Sequence, residues 1–330
     1  MKTWETVNPS SLQWDGWLRE FSGAHVFQSS GWAAYKQAAG WGCVRLICPD
    51  EMGRPCAMLQ ALIKPVPMLG SLLWAAGGPL WRTAPKPEES AALAAALGSL
   101  PGARYVRVFD MSTMQNHYAP PWQRPSVSNG SGATVLLDVV PARDRWLVGA
   151  TAKHRYYVRR ALREPLEWRV GNDAAQFAAL AKLTGEMSQI KNATHQRTAA
   201  DLQVQATLLG SSVITLVGYL DGQPVSGCQV LLWGTMAIYA TAAANLAGRE
   251  ISAAYAMIAQ LREVLRAKSV VTLDLGGIDP LNPAAGGVDH FKLGFGGRTV
   301  SYSGEWEYAA SPLYRALGNL AVRLRRGRQA

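Results

Sequence analysis

The spacing of apolar and polar residues predicts helices and strands along the whole chain. Before residue 140 it predicts helices near 10–22, 30–40 and 88–98, and strands near 43–48, 56–63, 71–76, 104–109 and 134–139. After residue 140 it predicts helices near 142–149, 151–163, 173–190, 198–209 and 252–267, and strands near 166–170, 213–220, 225–233, 236–242, 270–275 and 299–308. Strands that cluster before long helices are typical of an α+β protein.

The chain of 330 residues is longer than a single core usually reaches, about 250–300 residues, and this favours two domains. A weak internal repeat agrees. The turns Asp50–Pro55 and Asp221–Pro224 each lead into apolar strands, and a later strand in each half ends at Asp110 or Asp274. Two copies of one unit explain this pattern, although Asp-Gly-x-Pro turns also arise independently. We predict domains at 1–140 and 141–311, and a basic C-terminal tail at 312–330.

The segment from Gly222 to Gly248 contains no charged residue and is long enough to cross a bilayer. Pro224, Gly227 and Gly234 interrupt it, however, and two runs rich in apolar residues flank Gly234-Thr235. This pattern favours a buried β-hairpin over a membrane span.

Lys and Arg outnumber Asp and Glu by 33 to 23, and 22 of these cations against 14 anions lie in 141–330. The excess indicates an anionic partner such as tRNA, a phosphorylated substrate or a membrane surface. The first residues lack the apolar core of a secretory signal, and the four cysteines form no C-x-x-C pair. We therefore expect a reduced, cytoplasmic protein. The histidines are scattered along the sequence, and we find no nucleotide-binding motif, so we expect neither a metal site nor a cofactor.

Two segments near the end of the chain carry candidate chemistry. Gly276, Gly277 and Asp279 follow a buried strand, where adjacent glycines let a ligand approach and their amides can donate to negative charge; a tight turn is the alternative. Lys292 follows Phe291 in a glycine-rich segment. Its ammonium either reaches solvent or is a cation held beside a low-dielectric site.

Three further clusters combine cations with aromatic or apolar residues. Trp32 and Lys36 share one face of a short helix and can hold a uridine or sugar diphosphate, or simply pack. A basic helix is suited to phosphate backbones or is a solvated face; its arginines are Arg155, Arg159, Arg160 and Arg163. The C-terminal segment lies on an anionic membrane or only aids solubility; its arginines are Arg323, Arg325, Arg326 and Arg328.

Five segments in order, FQSSGWAAYK, KHRYYVRRA, LDLGGID, HFKLGFGG and SYSGEWEY, resemble the Fem family of aminoacyltransferases, which build peptidoglycan interpeptide bridges. The resemblance implies two tandem GNAT-like (acyl-CoA N-acyltransferase) domains, with mixed sheets flanked by helices. It also implies transfer of Gly, Ala or Ser from aminoacyl-tRNA to the stem-peptide amine of a peptidoglycan precursor, lipid II or UDP-MurNAc-pentapeptide.

By the same resemblance, the first domain binds the precursor and the second the aminoacyl-tRNA. Lys36 and Arg197 are similar to cations that hold the precursor's diphosphate, Lys292 to a lysine near the aminoacyl ester, and Asp110 to an acid in the substrate cleft. Since the reaction also needs a general base, Asp110, Asp274, Asp279 and the substrate's own carboxylate all stay candidates.

Two other functions compete with this one. The first is an acyl-CoA-dependent N-acyltransferase of GNAT type, acting on surface polysaccharide or amino-sugar precursors. Its pyrophosphate motif, Q/R-x-x-G-x-G/A, is poorly matched by Asn245–Ser252, which has one glycine and the acid Glu250. The second is a non-enzymatic basic scaffold at the inner membrane, held there by the arginines of the C-terminal segment.

Overall fold

The structure is a computed structural model that describes residues 3–66, 70–115, 117–140, 145–191, 196–279 and 286–327, without the side chains of 190–191 and 325–327. The chain forms two compact units. The first consists of Met1–Gly132 and Ser301–Gly327, and the second of Ala133–Val300.

Helices and strands alternate through both units. The helices are α1 (Ser11–Arg19), α2 (Ser30–Ala38), α3 (Pro87–Gly98), α4 (Ala152–Ala161), α5 (Ala174–Lys191), α6 (Ala199–Leu209), α7 (Leu246–Glu250), α8 (Ala253–Ala267), α9 (Gly286–Leu293) and α10 (Pro312–Gly327), with short 3₁₀ helices at Val26–Gln28 and Gly210–Ser212. The strands are β1 (Glu5–Val7), β2 (Gly42–Pro49), β3 (Pro55–Val66), β4 (Gly70–Ala76), β5 (Leu80–Trp81), β6 (Ala103–Asp110), β7 (Ala133–Asp138), β8 (Glu167–Val170), β9 (Val213–Leu220), β10 (Gln223–Trp233), β11 (Met236–Ala244), β12 (Thr272–Ile278), β13 (Arg298–Ser301) and β14 (Gly304–Ala309).

The sheet of the first unit has the strand order β1-β2-β3-β4-β6-β14, and β5 pairs with β3 outside this path. Strands β4 and β6 run parallel, while the other pairs are antiparallel. Leu59 and Val108 of the sheet and Leu93 and Leu97 of α3 lie in one buried core. Apolar residues on one face of α3 therefore hold this helix against the sheet.

The sheet of the second unit has the order β13-β7-β12-β11-β10-β9-β8. Here β11 and β12 run parallel, and β8–β9, β9–β10, β10–β11 and β7–β12 are antiparallel. Leu216, Val230 and Leu273 of the strands pack with Met257 and Leu261 of α8. The predicted hairpin is confirmed, since β10 and β11 pair around Gly234, which has a φ of +55°.

The two sheets repeat one topology. The path β1-β2-β3-β4-β6-β14 corresponds to β8-β9-β10-β11-β12-β7, with the parallel pair in the same place. Gly53 and Gly222, in the corresponding turns, have φ values of +75° and +76°, a left-handed conformation that favours glycine. The internal repeat predicted from these turns is confirmed.

The boundaries between the units differ from the predicted ones. Residues 299–308, predicted as one closing strand, form β13 in the second unit and β14, which pairs with β6 in the first. Likewise β7 pairs with β12, so it belongs to the second unit although we placed it before residue 140. In each sheet, the strand next to the parallel pair therefore comes from the segment that we had assigned to the other domain: β14 in the first unit and β7 in the second.

Two helix predictions also need correction. Residues 145–149, predicted as part of a helix, form turns, while 141–144 lie outside the described residues. The segment predicted as a basic tail is the helix α10, which packs on the first unit through Gly318 and Asn319. Among the described residues, no helix combines the length and the apolar character needed to cross a membrane.

Candidate functional site

Lys292 lies in the second unit beside the glycines that end β12. Its Nζ donates to the carbonyl oxygen of Gly277 at 2.6 Å, and a Cβ placed on Gly276 would lie 3.5 Å from the same Nζ. Burial lowers the pKa of Lys292, while the charges of Asp289 and Asp274 raise it. The two segments predicted to carry chemistry are therefore adjacent, and a partly desolvated ammonium is held at the end of a strand, within the electrostatic influence of two carboxylates.

The strands next to Lys292 diverge. In the stretch 236–278, which is described throughout, β11 and β12 are paired only where Met236–Ile238 lies beside Thr272–Asp274. The corresponding parallel pair of the first unit extends from Ser71 to Ala76. Gly276, with a φ of +84°, lies just beyond the last pair. The backbone opens at this point, at the end where Lys292 is held.

The carboxylates around this opening have different environments. Asp274 is buried, and its Oδ1 accepts from the Thr134 hydroxyl and from the Gly276 amide at 2.7 Å. That amide is consequently not available to a developing negative charge, contrary to the prediction. Asp279 is half-buried, and its own amide donates to Oδ2 of Asp289 at 2.9 Å.

Asp289 is a residue of this site that the sequence interpretation missed. It precedes Lys292 by three positions on α9, a spacing that places two side chains on one helix face. The signal was present in the sequence, but it becomes visible only once residues 286–293 are recognised as a helix.

His154 connects the basic helix α4 to the Lys292 helix α9. Its ring is fully buried, with Nε2 3.0 Å from the carbonyl oxygen of Phe291 and Nδ1 2.9 Å from the Thr151 hydroxyl. Burial lowers the pKa of His154 below 6.5, so the ring is neutral near pH 7. Nε2 then donates to Phe291, since a carbonyl only accepts, and Nδ1 accepts from Thr151. Sequence interpretation missed this role because His154 stands within a run of cations.

Phe291 belongs to an aromatic cluster around His154 rather than to an open surface. Its ring centroid lies 5.2 Å from that of Tyr255 and 5.0 Å from that of Phe295. Such edge-to-face pairs fix the ring orientations. Phe291 thereby fixes the helix that carries Lys292.

The predicted basic helix is α4, and its four arginines differ in exposure. Arg159 and Arg160 are exposed, as is Arg163 just beyond the helix. Arg160 donates to the carbonyl oxygen of Glu250 at 3.1 Å. Arg155 is half-buried, and its guanidinium donates to the carbonyl oxygen of Ala150. Arg155 therefore ties α4 to the preceding loop, while the other three face solvent.

Arg197 is held inside the second unit. Its guanidinium contacts Asp201, Gln205 at 3.0 Å and Thr241 at 3.1 Å. Only 16% of its side chain is exposed. The cation is thus fixed between α6 and β11.

Trp32 and Lys36 line a pocket of about 520 Å³ within the first unit. Lys36 Nζ lies 4.6 Å from the ring centroid of Trp32 and 4.8 Å from that of Tyr35. Ser29 caps α2 by accepting from the Trp32 amide at 3.2 Å. The predicted aromatic and cation do share one face, and that face lines a pocket.

Most of the pocket wall is aromatic or aliphatic, with basic residues among it. Its other aromatic residues include Phe27, Trp41, Trp74, Phe109 and Tyr314. The basic residues are Lys36, Arg104 and Arg107. Arg107 is buried against Glu305 and Glu307, at 3.3 and 3.5 Å, so its charge is compensated within the fold. The pocket therefore suits an amphipathic ligand with an anionic group near Lys36 and Arg104.

Asp110 lies outside this pocket wall, in a buried polar network of the first unit. Its carboxylate accepts from the Ser112 amide at 2.8 Å and contacts Nε2 of His117 at 3.0 Å. Only 1% of the residue is exposed. Burial raises the pKa of the neighbouring Tyr118, and the Asp110 carboxylate adds to this. These contacts favour a structural role over the predicted catalytic one.

A crystal structure of FemX has a TM-score of 0.78 with this chain, at 15% sequence identity, and the match covers 95% of this chain and 99% of that one. The chain has the FemX fold. A tandem GNAT protein from the clavulanic acid biosynthesis pathway matches with a TM-score of 0.56 and 11% identity, over 94% of this chain and 99% of that one. The C-terminal domain of a putative lysylphosphatidylglycerol synthetase from Agrobacterium fabrum matches with 0.51 and 13%, over 85% and 88%.

These similarities confirm the predicted α+β architecture of two tandem GNAT-like domains. At the level of the fold, they also confirm the resemblance to the Fem family that the five sequence segments suggested. No protein-family model matches the chain, and no curated protein matches it in sequence.

Proposed function

We propose that this chain is an aminoacyltransferase that moves Gly, Ala or Ser from aminoacyl-tRNA to the stem-peptide amine of a peptidoglycan precursor, lipid II or UDP-MurNAc-pentapeptide. One observation carries the proposal: the partly desolvated Lys292 ammonium is held at the opening between β11 and β12. The likeness of fold to FemX supports the proposal.

For this reaction the protein needs mainly to position the two substrates and to stabilise the negative charge that develops. The acceptor amine attacks the ester carbonyl, a C–N bond forms, and the C–O bond to the ribose breaks. The amine loses a proton to a base, and the departing ribose oxygen gains one. Because the ester is already activated, orientation and stabilisation of the tetrahedral oxyanion are sufficient.

In this mechanism Lys292 stabilises the oxyanion. An ammonium has three donors, and the contact with Gly277 uses one of them. A fixed cation is most effective where water is partly excluded, as it is here. Asp279 and the substrate's carboxylate are our candidate bases, since Asp274 and Asp110 are buried and already accept hydrogen bonds.

The basic helix α4 is our candidate contact for the tRNA. Arg159, Arg160 and Arg163 are exposed there, and α4 is linked to α9 through His154. Phosphate contacts on this helix would bring the tRNA to the unit that carries Lys292. The half-buried Arg155 supports the helix.

The pocket of the first unit is our candidate site for the precursor. Trp32 offers a face for the uridine or sugar, and Lys36 offers a cation for the diphosphate. The role of Arg197 as a diphosphate contact stays a prediction from the family resemblance, since this residue lies in the second unit and is paired there with Asp201.

A transfer assay tests the proposal. The purified chain is incubated with labelled glycyl-, alanyl- or seryl-tRNA and with each of the two precursors. We expect labelled precursor from at least one pairing, abolished by RNase. Lys292→Met should lower the rate about 10²- to 10³-fold, as the loss of one oxyanion donor does. Lys268→Met, at an exposed position just after α8, should have little effect. No transfer with either acceptor across all three donors would falsify the proposal.

The CoA-dependent alternative receives less support from the segment where its pyrophosphate would bind. Gly248 lies in α7, and its amide already donates to the side chain of Asn245 at 3.0 Å. A Cβ at Gly248 would lie 2.1 Å from the carbonyl oxygen of Val225, so the residue is packed against β10. Thermal stabilisation of the chain by CoA at sub-millimolar concentration, with no transfer from tRNA, would favour the alternative.

A further inference from the structure

We propose that α10 docks the first unit onto an anionic phospholipid membrane through its exposed leucine face. The leucine face consists of Leu313, Leu317, Leu320 and Leu324, at the three- and four-residue spacing of one side of a helix. The proposal concerns a surface separate from Lys292 and extends beyond aminoacyl transfer, since it would hold for a chain of any activity.

Buried contacts on the opposite side fix the rotation of α10. Asn319 Nδ2 donates to both carboxylate oxygens of Glu307, at 3.0 and 2.8 Å. Arg315 adds an ion pair with Glu307 at 3.4 Å. A Cβ at Gly318 would lie 2.5 Å from the ring of Tyr105, so the helix backbone approaches that ring closely. With this side fixed against β6 and β14, the leucine face cannot turn inward.

The leucine face is exposed to an unusual degree for apolar side chains on one helix. Leu313 is 65% exposed, Leu320 49% and Leu324 60%. From Leu313 to Leu324 the stripe covers twelve residues, and its ends are about 16 Å apart along the helix axis. Large apolar side chains grouped in this way mark an interaction surface, whereas scattered ones need no explanation.

The positive charge of the C-terminal segment favours an anionic membrane over a second copy of this chain as the partner of the leucine face. From Ala321 to Ala330 the sequence contains four arginines and no aspartate or glutamate. Arg323 is exposed on α10 beside the leucine face. A second copy would oppose these cations with identical cations, whereas an anionic leaflet complements them, and apolar side chains flanked by arginines are typical of helices that lie in the membrane interface.

The leucine face also borders the pocket of the first unit. Leu317 belongs to both, and Ala321, Val322 and Tyr314 of α10 line the pocket as well. Docking through this helix therefore brings the pocket wall to the membrane surface. The side chains of Leu313, Leu320 and Leu324 are not among those that line the pocket.

Sedimentation with lipid vesicles tests the proposal without any catalytic readout. We expect the full chain to sediment with vesicles containing about 30 mol % phosphatidylglycerol, and much less with pure phosphatidylcholine, because the attraction is partly electrostatic. The double variant Leu320→Gln/Leu324→Gln should weaken binding at least about tenfold, through the lost apolar transfer. Arg323→Gln should weaken it by less, and added salt should weaken binding of the wild type.

Matched controls come from exposed leucines elsewhere. Leu12 of α1 is 81% exposed and Leu246 of α7 is 61% exposed, so Leu12→Gln and Leu246→Gln should bind vesicles like the wild type. Binding that the double variant leaves unchanged, or that the control variants reduce equally, overturns the proposal. So does the absence of sedimentation with anionic vesicles. A wild-type dimer in light scattering that the double variant converts to monomer would assign the leucine face to self-association instead.

Discussion

A methyl group added at Gly294 would collide with the ring of His154. Built with ideal geometry, this Cβ lies 1.9 Å from Cε1, 2.2 Å from Nδ1 and 2.3 Å from Nε2 of His154. Ordinary van der Waals contact begins at 3.4 Å, so in Gly294→Ala the ring must move by about 1.5 Å, the difference between 3.4 and 1.9 Å. The ring is fully buried, and Tyr255, Phe291 and Phe295 surround it. It cannot move without losing its contacts to Thr151 and Phe291.

The size of the effect follows from these contacts. Overpacking of a core costs about 1–3 kcal/mol, and each lost hydrogen bond about 0.5–1.5 kcal/mol. With two hydrogen bonds of His154 disturbed, we expect the free energy of opening of this region to fall by about 2–6 kcal/mol. The displaced ring also releases α9, so transfer activity should decline together with stability.

Amide hydrogen exchange measures this effect locally. Exchange of peptides from α4 and α9, followed by mass spectrometry over increasing urea, gives the free energy of opening of this part of the second unit. Gly287→Ala is the control, because Gly287 lies in α9, the helix that Gly294 follows, and no atom of the described residues lies within 4 Å of the added Cβ. It should leave the region unchanged or slightly more stable.

The double variant His154→Ala/Gly294→Ala separates collision from other effects of the added methyl group. Without the ring there is nothing for the methyl group to displace, so the double variant should be less destabilised than the two single changes together predict. A Gly294→Ala chain whose opening free energy stays within about 0.5 kcal/mol of the wild type would show that His154 has room to move, and our argument for a rigid link between α4 and α9 would be refuted.

Further predictions concern the lysine, the pocket and α10. Burial lowers the pKa of Lys292 from its ordinary value of 10.5, so the unfolded chain binds this proton more tightly than the folded one. In urea unfolding, Lys292→Met should therefore be more stable than the wild type near pH 7. This difference in stability should shrink as the pH rises to 10.5. An advantage that grows with pH would contradict this. Trp32→Ala should raise the Kd of UDP-MurNAc-pentapeptide about 5- to 30-fold in calorimetry, through lost stacking and cation–π contact, whereas Trp17→Ala, outside the pocket, should not. Gly318→Val should collide with Tyr105 and speed tryptic cleavage within α10, whereas Ala316→Val on the exposed side should not; equal cleavage of both variants would refute the fixed seating of the helix.

Much of the fold was predictable because most elements have clear periodicity. The predicted strand at 213–220 agrees with β9, and the hairpin of β10 and β11 was evident from its central glycine. Residues 299–308 misled us because β13 and β14 are both extended and are separated only by Tyr302 and Ser303. Local pattern cannot show that two adjacent strands join different sheets, since that depends on partners almost 200 residues away.

The candidate site was predictable in part. Lys292 and the glycines of β12 stood out by residue type, and the structure brings them into contact. The hydrogen bond of the Gly276 amide could not be predicted from residue type, because its acceptor is the side chain of Asp274, two residues earlier in the turn. His154 was hidden for a related reason, since a histidine among cations gives no sign that its ring is buried against Phe291.

The position of β14 has a consequence for biosynthesis. Strand β6 is complete once residue 110 has been made, but the strand that covers its outer edge ends at Ala309. During translation this edge of β6 stays unpaired while roughly two hundred further residues are added, about 10–40 s at ordinary elongation rates. Unpaired edges of this kind invite association with other nascent chains, so shortening of the chain before residue 304 should harm the half that is made first.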